Sequence, residues 1–322
     1  MHAIVVDDRQ NLTWSEVPDP VAKPGEILIE IHAAALNRAD LMQRAGNYPP
    51  PPGAPEWMGL EAAGVVLEAP EQSRWQAGDR VCALLGGGGY AERVAVPEGM
   101  ALPVPEGLSM IEATAMPEAF ATSYLNLCME AGMAAGETVL IQAGASGLGM
   151  AAIQLVKTLG GKVVTTVSTR EKVDFVRALG ADVAVNRTTE DLVAVLEKHP
   201  IDVALDCISG PALGRCIEKM AAGGRWIVIA TLGGDTTEIN VNTFFRRGLK
   251  LIGSTLRSRP PEVKAEILAG LEETLWPAVS AGTIRPVIHA TLPITRAEEA
   301  HAILQRRENL GKVVLTVNGE TE

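Results

Sequence analysis

A short apolar run, Val139 to Ile141, meets a turn carrying Gly144, Gly147 and Gly149, and an apolar-periodic segment follows at once. In that segment Leu148, Ala151, Ala152, Leu155 and Leu159 recur at helical spacing. Strand, glycine turn and helix together set a pyrophosphate against the exposed N–H groups of a helix N-terminus. The spacing is G-x-x-G-x-G rather than G-x-G-x-x-G, so the evidence lies in the context as much as in the glycines. Gly144, Ser146, Gly147, Leu148 and Gly149 are the candidate dinucleotide contacts of this turn.

The surrounding chain continues the theme. From residue 138 strands are expected at 139–141, 162–167, 183–185, 203–207, 226–230 and 249–253. Helices are expected at 148–159, 170–179, 190–197 and 210–220, with Gly180 and Gly223 as helix stops. Such alternation predicts an α/β fold with a doubly wound parallel sheet and ligand at the carboxyl ends of its strands. Residues 1 to about 117 read instead as short strands and turns. Ile27, Ile29 and Ile31 alternate with Leu28, Glu30 and His32 as in a half-buried strand. A compact barrel-like β domain is expected there, with Gly86–Gly89 as a hairpin turn. Ser109 and Glu112 form a capping box, and a long helix is expected over 118–130. After Pro260 and Pro261 a helix over 262–275 should break at Trp276 and Pro277. Strands at 286–290 and 313–317 flank a helix over 296–307, and this tail should pack back on the first domain. Residues 319–322 are expected to fray.

Composition narrows the partners. The 322 residues carry 39 acidic and 28 basic side chains, a formal net charge of -11, which repels a phosphate backbone and argues against nucleic acid. Cys82, Cys128, Cys207 and Cys216 are scattered without a C-x-x-C pair and read as reduced, mostly buried thiols. The first residues lack a basic n-region, and no window reaches about 18 uninterrupted apolar residues, so the expectation is a soluble, cytoplasmic protein with no membrane partner.

The end of the strand at 162–167 should choose the cofactor. An NAD site places an acidic residue about 20 positions beyond the glycine turn. Here the strand tip offers the hydroxyls of Ser168 and Thr169, then the cations Arg170 and Lys172, which suit a 2′-phosphate and predict NADPH. The alternative is a helical first turn with solvated charges, although cations are disfavoured by the dipole at that end.

Several stretches carry a resemblance. They are Ala35-Leu-Asn-Arg-Ala-Asp-Leu-Met-Gln-Arg44 with Tyr48 and Pro49–Pro52, Gly59-Leu-Glu-Ala-Ala-Gly64, Val96-Pro-Glu-Gly99 and Ala143–Gly149. Leu205-Asp-Cys-Ile208, Leu256-Arg-Ser-Arg259, Glu299-Ala-His301 and Gly311-Lys-Val-Val-Leu315 complete them. Over essentially its whole length the chain resembles the zinc-free quinone oxidoreductases of the medium-chain dehydrogenase/reductase superfamily, in particular their inducible branch. The resemblance implies a GroES-like β-barrel catalytic domain from residues 1–117 and 265–322, with a Rossmann NADPH-binding domain, 118–264, inserted. It also implies NADPH-dependent quinone reduction and a homodimer or homotetramer joined through the Rossmann sheets.

Zinc is excluded by residue type. Where zinc members carry a Cys and a Gly-His-Glu, this chain has Asn37 with Arg38, and Gly59, Leu60 and Glu61; leucine cannot ligate a metal. Arg38 and Glu61 are candidates to pair there as a salt bridge. Without a Lewis acid, alcohol oxidation by alkoxide stabilisation is implausible, and the acceptor should be a quinone or an activated enone.

The resemblance implies Tyr48 as phenol donor to the acceptor and Asn37 as a hydrogen-bonding partner of cofactor or acceptor. Tyr48 read alone is a packed aromatic with its hydroxyl in solvent, and Asn37 read alone is a strand-end turn former. Asp40 is expected to cap or orient. Thr122 resembles the threonine near the nicotinamide carboxamide, Thr231 and Leu232 end the fifth strand of the sheet, and Leu256 belongs to a segment approaching the cofactor. Lys312 resembles a lysine near the interdomain cleft, although it and Arg257 also read as surface charges. Arg187 stands where relatives carry a tyrosine, and a guanidinium there could bind the 2′-phosphate or stack on adenine. Competing functions are an NADPH-dependent enone or enoyl reductase, and an NADPH-binding protein with little turnover.

Overall fold

The computed structural model describes residues 1–317, and the expected fraying at 319–322 lies outside them. The chain divides into two compact units: residues 1–121 together with the chain from Arg257 onward, and Thr122–Leu256. Sequence alone predicts these divisions at 117/118 and 264/265.

The first unit begins with β1 (His2–Val6) and β2 (Leu12–Glu16), an antiparallel pair. β3 (Glu26–Ala35) follows, then α1 (Arg38–Arg44), β4 (Glu61–Glu68), β5 (Arg80–Leu84), β6 (Arg93–Pro97) and β7 (Ala101–Pro103). β3 shows the expected alternation, with Ile27, Ile29 and Ile31 essentially inaccessible. α2 (Met110–Ala113) starts at Ser109, whose side chain accepts from the Glu112 N–H in the expected capping box. α3 (Pro117–Tyr124) continues as a π-helical segment, Leu125–Glu130. Asn126 Nδ2 takes the Thr122 carbonyl at 2.7 Å, and the Ala131 N–H reaches back to Asn126. A side chain competing for a helical carbonyl accounts for the wider turn.

Gly86–Gly89 is not a hairpin turn, because β5 pairs with β4 and β7 whereas β6 pairs with β3. The glycines instead let this loop lie against residues 55–61. A Cβ on Gly87 would stand 2.8 Å from the Pro55 carbonyl oxygen, and one on Gly88 2.9 Å from the Pro55 ring.

The second unit runs β8 (Thr138–Ile141), α4 (Gly147–Thr158), β9 (Lys162–Val167), α5 (Arg170–Ala178), β10 (Val183–Asn186), α6 (Leu192–Lys198), β11 (Ile201–Asp206), α7 (Gly210–Ile217), β12 (Met220–Val228), α8 (Val241–Arg246) and β13 (Lys250–Gly253). All sheet pairings are parallel, in the order β10-β9-β8-β11-β12-β13. That is the doubly wound Rossmann order, whose direction of winding reverses between β8 and β11. Val139, Leu140 and Ile141 are all inaccessible, as a parallel strand covered on both faces requires. Gly180 follows α5 with φ +105, as expected of a helix stop, but Gly223 (φ +76) lies inside β12, where the register with β11 shifts. Helix α7 ends earlier than the sequence suggests. Cys82 and Cys216 are buried, while Cys128 and Cys207 are only half-buried.

The tail returns to the first unit through α9 (Pro261–Ser280), β14 (Ile288–Pro293), α10 (Ala297–Arg306) and β15 (Lys312–Thr316). α9 runs through Pro277 rather than breaking there. A proline leaves without its helical donor the carbonyl four positions earlier, here that of Glu273, a residue on the exposed side of the helix. Trp276 meanwhile anchors the turn by donating to the Pro103 carbonyl at 2.9 Å. β15 pairs in parallel with β14 and antiparallel with β3, completing a sheet ordered β14-β15-β3-β4-β5-β7 with β6 also on β3. Among the described residues no helix is long and apolar enough to cross a membrane.

Candidate active site

In the second unit the glycine turn is folded by the threonines beside it. Thr165 Oγ1 donates to the Ile141 carbonyl at 2.7 Å, Thr166 Oγ1 donates to Gln142 Oε1 at 2.6 Å and accepts from the Ala143 N–H, and Gly144 N–H donates to the Thr166 carbonyl. A Cβ on Gly144 would fall on the Thr165 hydroxyl, and one on Gly149 would lie 2.5 Å from the Gly144 backbone. Ala143 holds φ +57, an uncommon conformation outside glycine. Ser146 caps α4, its hydroxyl accepting from the Gly149 N–H at 3.1 Å. The N–H groups at the start of α4 thus converge on the carboxyl end of β8, the arrangement that receives an anion.

On one side of this turn, Ser168 lies at the tip of β9, Lys172 in the first turn of α5, and Arg187 at the tip of β10. The β9–β10 register ends on Val167 beside Asn186, and the Arg187 N–H donates to the Val167 carbonyl at 2.9 Å. Thr169 caps α5 by accepting from the Lys172 N–H, and Arg170 pairs along the helix with Asp174. On the other side, buried Asp206 accepts from the Ile208 and Ser209 N–H groups at 2.7 and 2.9 Å and from Trp226 Nε1 at 2.9 Å. Burial raises its carboxyl above the ordinary value, against the pull of those donors. Asp206 shapes the β11 loop, and in the sequence it stands out only within the Leu205–Ile208 stretch of the resemblance, with no role assigned; an acid ending an otherwise apolar strand is the available signal. Thr231 and Leu232 lie just beyond, where the Leu232 and Gly233 N–H groups bond the Cys207 and Ile208 carbonyls. Thr122 and Leu256 are the first and last residues of this unit.

The first unit holds a second polar cluster. Asn37 and Asp40 form the two halves of a capping box on α1. Lys312, which is buried, donates to Glu61 Oε1 and, at 2.8 Å, to Asn37 Oδ1. Asn37 Nδ2 donates to Glu61 Oε1 at 2.9 Å, and the Glu118 N–H donates to Glu61 Oε2 at 2.8 Å. Glu61 therefore pairs with Lys312 and not with Arg38, whose guanidinium donates to the Leu304 carbonyl. Lys312 is no surface charge, and the Asn37 amide is committed on both its oxygen and its nitrogen. No local pattern marks Tyr90, whose hydroxyl donates to Asp40 Oδ2 at 2.9 Å, or Glu118, whose carboxyl burial pushes up to about 8. Tyr48 is half-buried beneath the Arg257 guanidinium, 4.8 Å from ring centroid to Cζ, and burial raises its phenol above the ordinary value.

Burial also pushes the Asp40 carboxyl from 3.8 up to about 6, against the Asn37 N–H and Tyr90 hydroxyl. Between those values the folded state keeps a proton that the unfolded chain releases, so stability falls as pH rises through about 4 to 6. Asp40→Asn should flatten that part of the profile, as read by chemical denaturation at intervals of pH. An unchanged slope would assign it to other groups.

The comparisons with known proteins fit this architecture. The alcohol dehydrogenase GroES-like domain family matches residues 23–106, and the zinc-binding dehydrogenase family matches residues 147–272. A quinone oxidoreductase of Sus scrofa is 30% identical over 308 residues, 94% of this chain and 92% of that protein. The chain belongs to the medium-chain dehydrogenase/reductase superfamily. Another member of this superfamily of oxidoreductases, the quinone oxidoreductase of Thermus thermophilus, has been solved also in complex with NADPH. It is 34% identical, with a TM-score of 0.82 over 98% of this chain and 100% of that one. JamJ enoyl reductase, 24% identical with a TM-score of 0.86 over 98% of each chain, shares the fold.

The zinc in one family description does not fit the residues here. Leu60 offers no ligand atom, Lys312 places an ammonium between Asn37 and Glu61, and Glu61 is engaged by three donors. Among the described residues no group of three or more His, Cys, Asp or Glu is gathered as a metal ion would need.

Proposed function

We propose that the chain is an NADPH-dependent, zinc-independent quinone reductase, passing reducing equivalents from the nicotinamide to a quinone. The observation that carries this reading is the Asn37–Lys312–Glu61 cluster, in which Lys312 and Glu61 are buried: with an ammonium in place of a Lewis acid, the site suits an acceptor that is electrophilic on its own. Bound NADPH would supply the hydride. The α4 N-terminus with Gly144, Ser146, Gly147, Leu148 and Gly149 would hold the pyrophosphate, and Ser168, Lys172 and Arg187 the 2′-phosphate. Thr122, Thr231, Leu232 and Leu256 remain candidates around the nicotinamide. Tyr48, with its raised pKa, stays a hydrogen-bond donor at neutral pH and is the group offered to the acceptor oxygen. The same donor would serve an enone or enoyl reductase, the second reading of this site.

Steady-state NADPH oxidation with ortho-quinones, para-quinones and enones separates the two. Fast turnover of quinones alone favours the first; tight NADPH binding with no turnover of any acceptor sinks both. Lys172→Ala should raise the KM for NADPH on the order of tenfold or more, the loss of a charge-assisted phosphate contact, and leave that for NADH nearly unchanged. Equal effects on both cofactors would remove Lys172 from the phosphate site.

The chain is also proposed to form a homodimer, alone or within a homotetramer, through the second unit. Among the described residues β13 is an edge strand paired only with β12; Leu251 on it and Val241 and Phe245 on α8 are 42%, 70% and 65% exposed respectively. An unpaired apolar edge is a template for strand addition. Leu251→Lys should shift the sedimentation coefficient toward the monomer; a wild-type protein already monomeric would overturn the proposal.

A further inference from the structure

Arg257 opens the returning part of the first unit, and it is only 6% exposed. Its Nε and Nη2 both donate to the Gly86 carbonyl, at 3.0 and 2.8 Å. Nη1 donates to the Tyr48 carbonyl at 3.1 Å, and Nη2 also to Gln43 Oε1 at 2.7 Å. Gln43 passes the connection on, its Nε2 donating to the Glu56 carbonyl. From the other side buried Lys264 donates to the Arg257 carbonyl at 2.7 Å, which fixes the main chain from which the guanidinium extends. The guanidinium thus ties together the end of α1, the Tyr48 loop and the glycine loop at Gly86.

These acceptors are two carbonyls and an amide; among the described residues no carboxylate is in hydrogen-bond contact with the charge. Burying a cation on neutral acceptors is expensive, and a neutral side chain could pin the same loops at lower cost. What a planar cation adds is the contact with the Tyr48 ring, since a guanidinium lies on an aromatic face while holding its hydrogen bonds in a fixed fork. Pro49, Pro50, Pro51 and Pro52 stiffen the chain immediately after Tyr48, so the ring itself is the part of the loop left to be aimed.

We propose that Arg257 is the positioning residue of Tyr48, holding the phenol ring by its face and its carbonyl so that the hydroxyl meets the acceptor in one orientation. This rests on the reading that the Tyr48 hydroxyl bonds the acceptor oxygen. A hydroxyl released from that orientation loses transition-state stabilisation without loss of cofactor binding.

The test is a double-mutant cycle on the full-length protein, with NADPH and a para-quinone at saturation. Arg257→Lys keeps the charge and loses the fork and the planar contact. It should lower kcat about tenfold, with the KM for NADPH within about twofold of wild type. In the Tyr48→Phe background the same substitution should cause no further loss, because the hydroxyl to be aimed is gone. Gln43→Met, which removes one acceptor and leaves Arg257 in place, should act in the same direction and also lose its effect beside Tyr48→Phe. It keeps the test open if Arg257→Lys does not fold. Losses that multiply in the double variants would mean that Arg257 serves only the fold, and wild-type kcat in both Arg257→Lys and Gln43→Met would overturn the proposal outright. Full kcat in Tyr48→Phe alone would overturn the phenol reading on which it rests, a result distinct from either.

Discussion

Glu61→Ala is expected to lower the stability of the protein by about 3–5 kcal/mol, read as a fall in the midpoint of chemical denaturation at neutral pH. The Lys312 and Glu61 side chains are 2% and 0% exposed, so the ammonium that loses its carboxylate has no water to turn to. The Asn37 amide and the Glu118 N–H lose an acceptor in the same step. A surface pair such as Lys157–Asp182, exposed by 35% and 43%, should change stability by less than about 1 kcal/mol when broken, and makes a suitable control. Glu61→Gln combined with Lys312→Met should recover much of the loss, because burying two neutral groups avoids the lone charge. An unchanged midpoint for Glu61→Ala would overturn the prediction that this carboxylate holds the buried ammonium in place.

Gly149→Ala should reduce kcat/KM for NADPH by about 10²-fold. The added Cβ would sit 2.5 Å from the Cα and carbonyl carbon of Gly144, and backbone cannot swing aside as a flexible side chain can. The turn must shift, and with it the N–H groups at the start of α4. An accompanying loss of about 1–3 kcal/mol in stability is expected from overpacking. Binding followed by NADPH fluorescence checks the prediction. Affinity equal to wild type would show that the cofactor does not use this turn.

The parts of the fold that are legible in the sequence are those where periodicity and punctuation agree. β3 can be read from Ile27, Ile29 and Ile31, and the strand–turn–helix at 139–158 from an apolar run, three glycines and a helical stripe. The misreadings have a common cause, namely that a residue's local preference is settled by a partner far along the chain. Pro277 reads as a helix breaker, but the helix runs through it while the neighbouring Trp276 is tied to Pro103. Gly86–Gly89 reads as a hairpin, but its glycines answer to Pro55 and Gly59. Of the candidate site, the turn residues can be proposed from sequence because they are contiguous. Lys312 can be named only by resemblance, since nothing near it in sequence shows that its ammonium ends beside Asn37. Arg257 looks like a surface charge for the same reason, its acceptors being Gly86, Tyr48 and Gln43.

The tie between Lys312 and Asn37 spans 275 positions, which orders events during synthesis. At roughly 5–20 residues per second, β3 and Glu61 leave the ribosome about 13–55 s before the strand that supplies their lysine. The second unit is one uninterrupted stretch and is complete before that strand is made. The first unit cannot close until β15 slots between β3 and β14. Throughout that interval the nascent chain carries an open sheet edge and a carboxylate in want of its counter-ion. A message broken before codon 312 would therefore yield a chain able to complete its dinucleotide fold while leaving its first unit exposed to proteolysis, so closure of the first unit is gated by the arrival of β15.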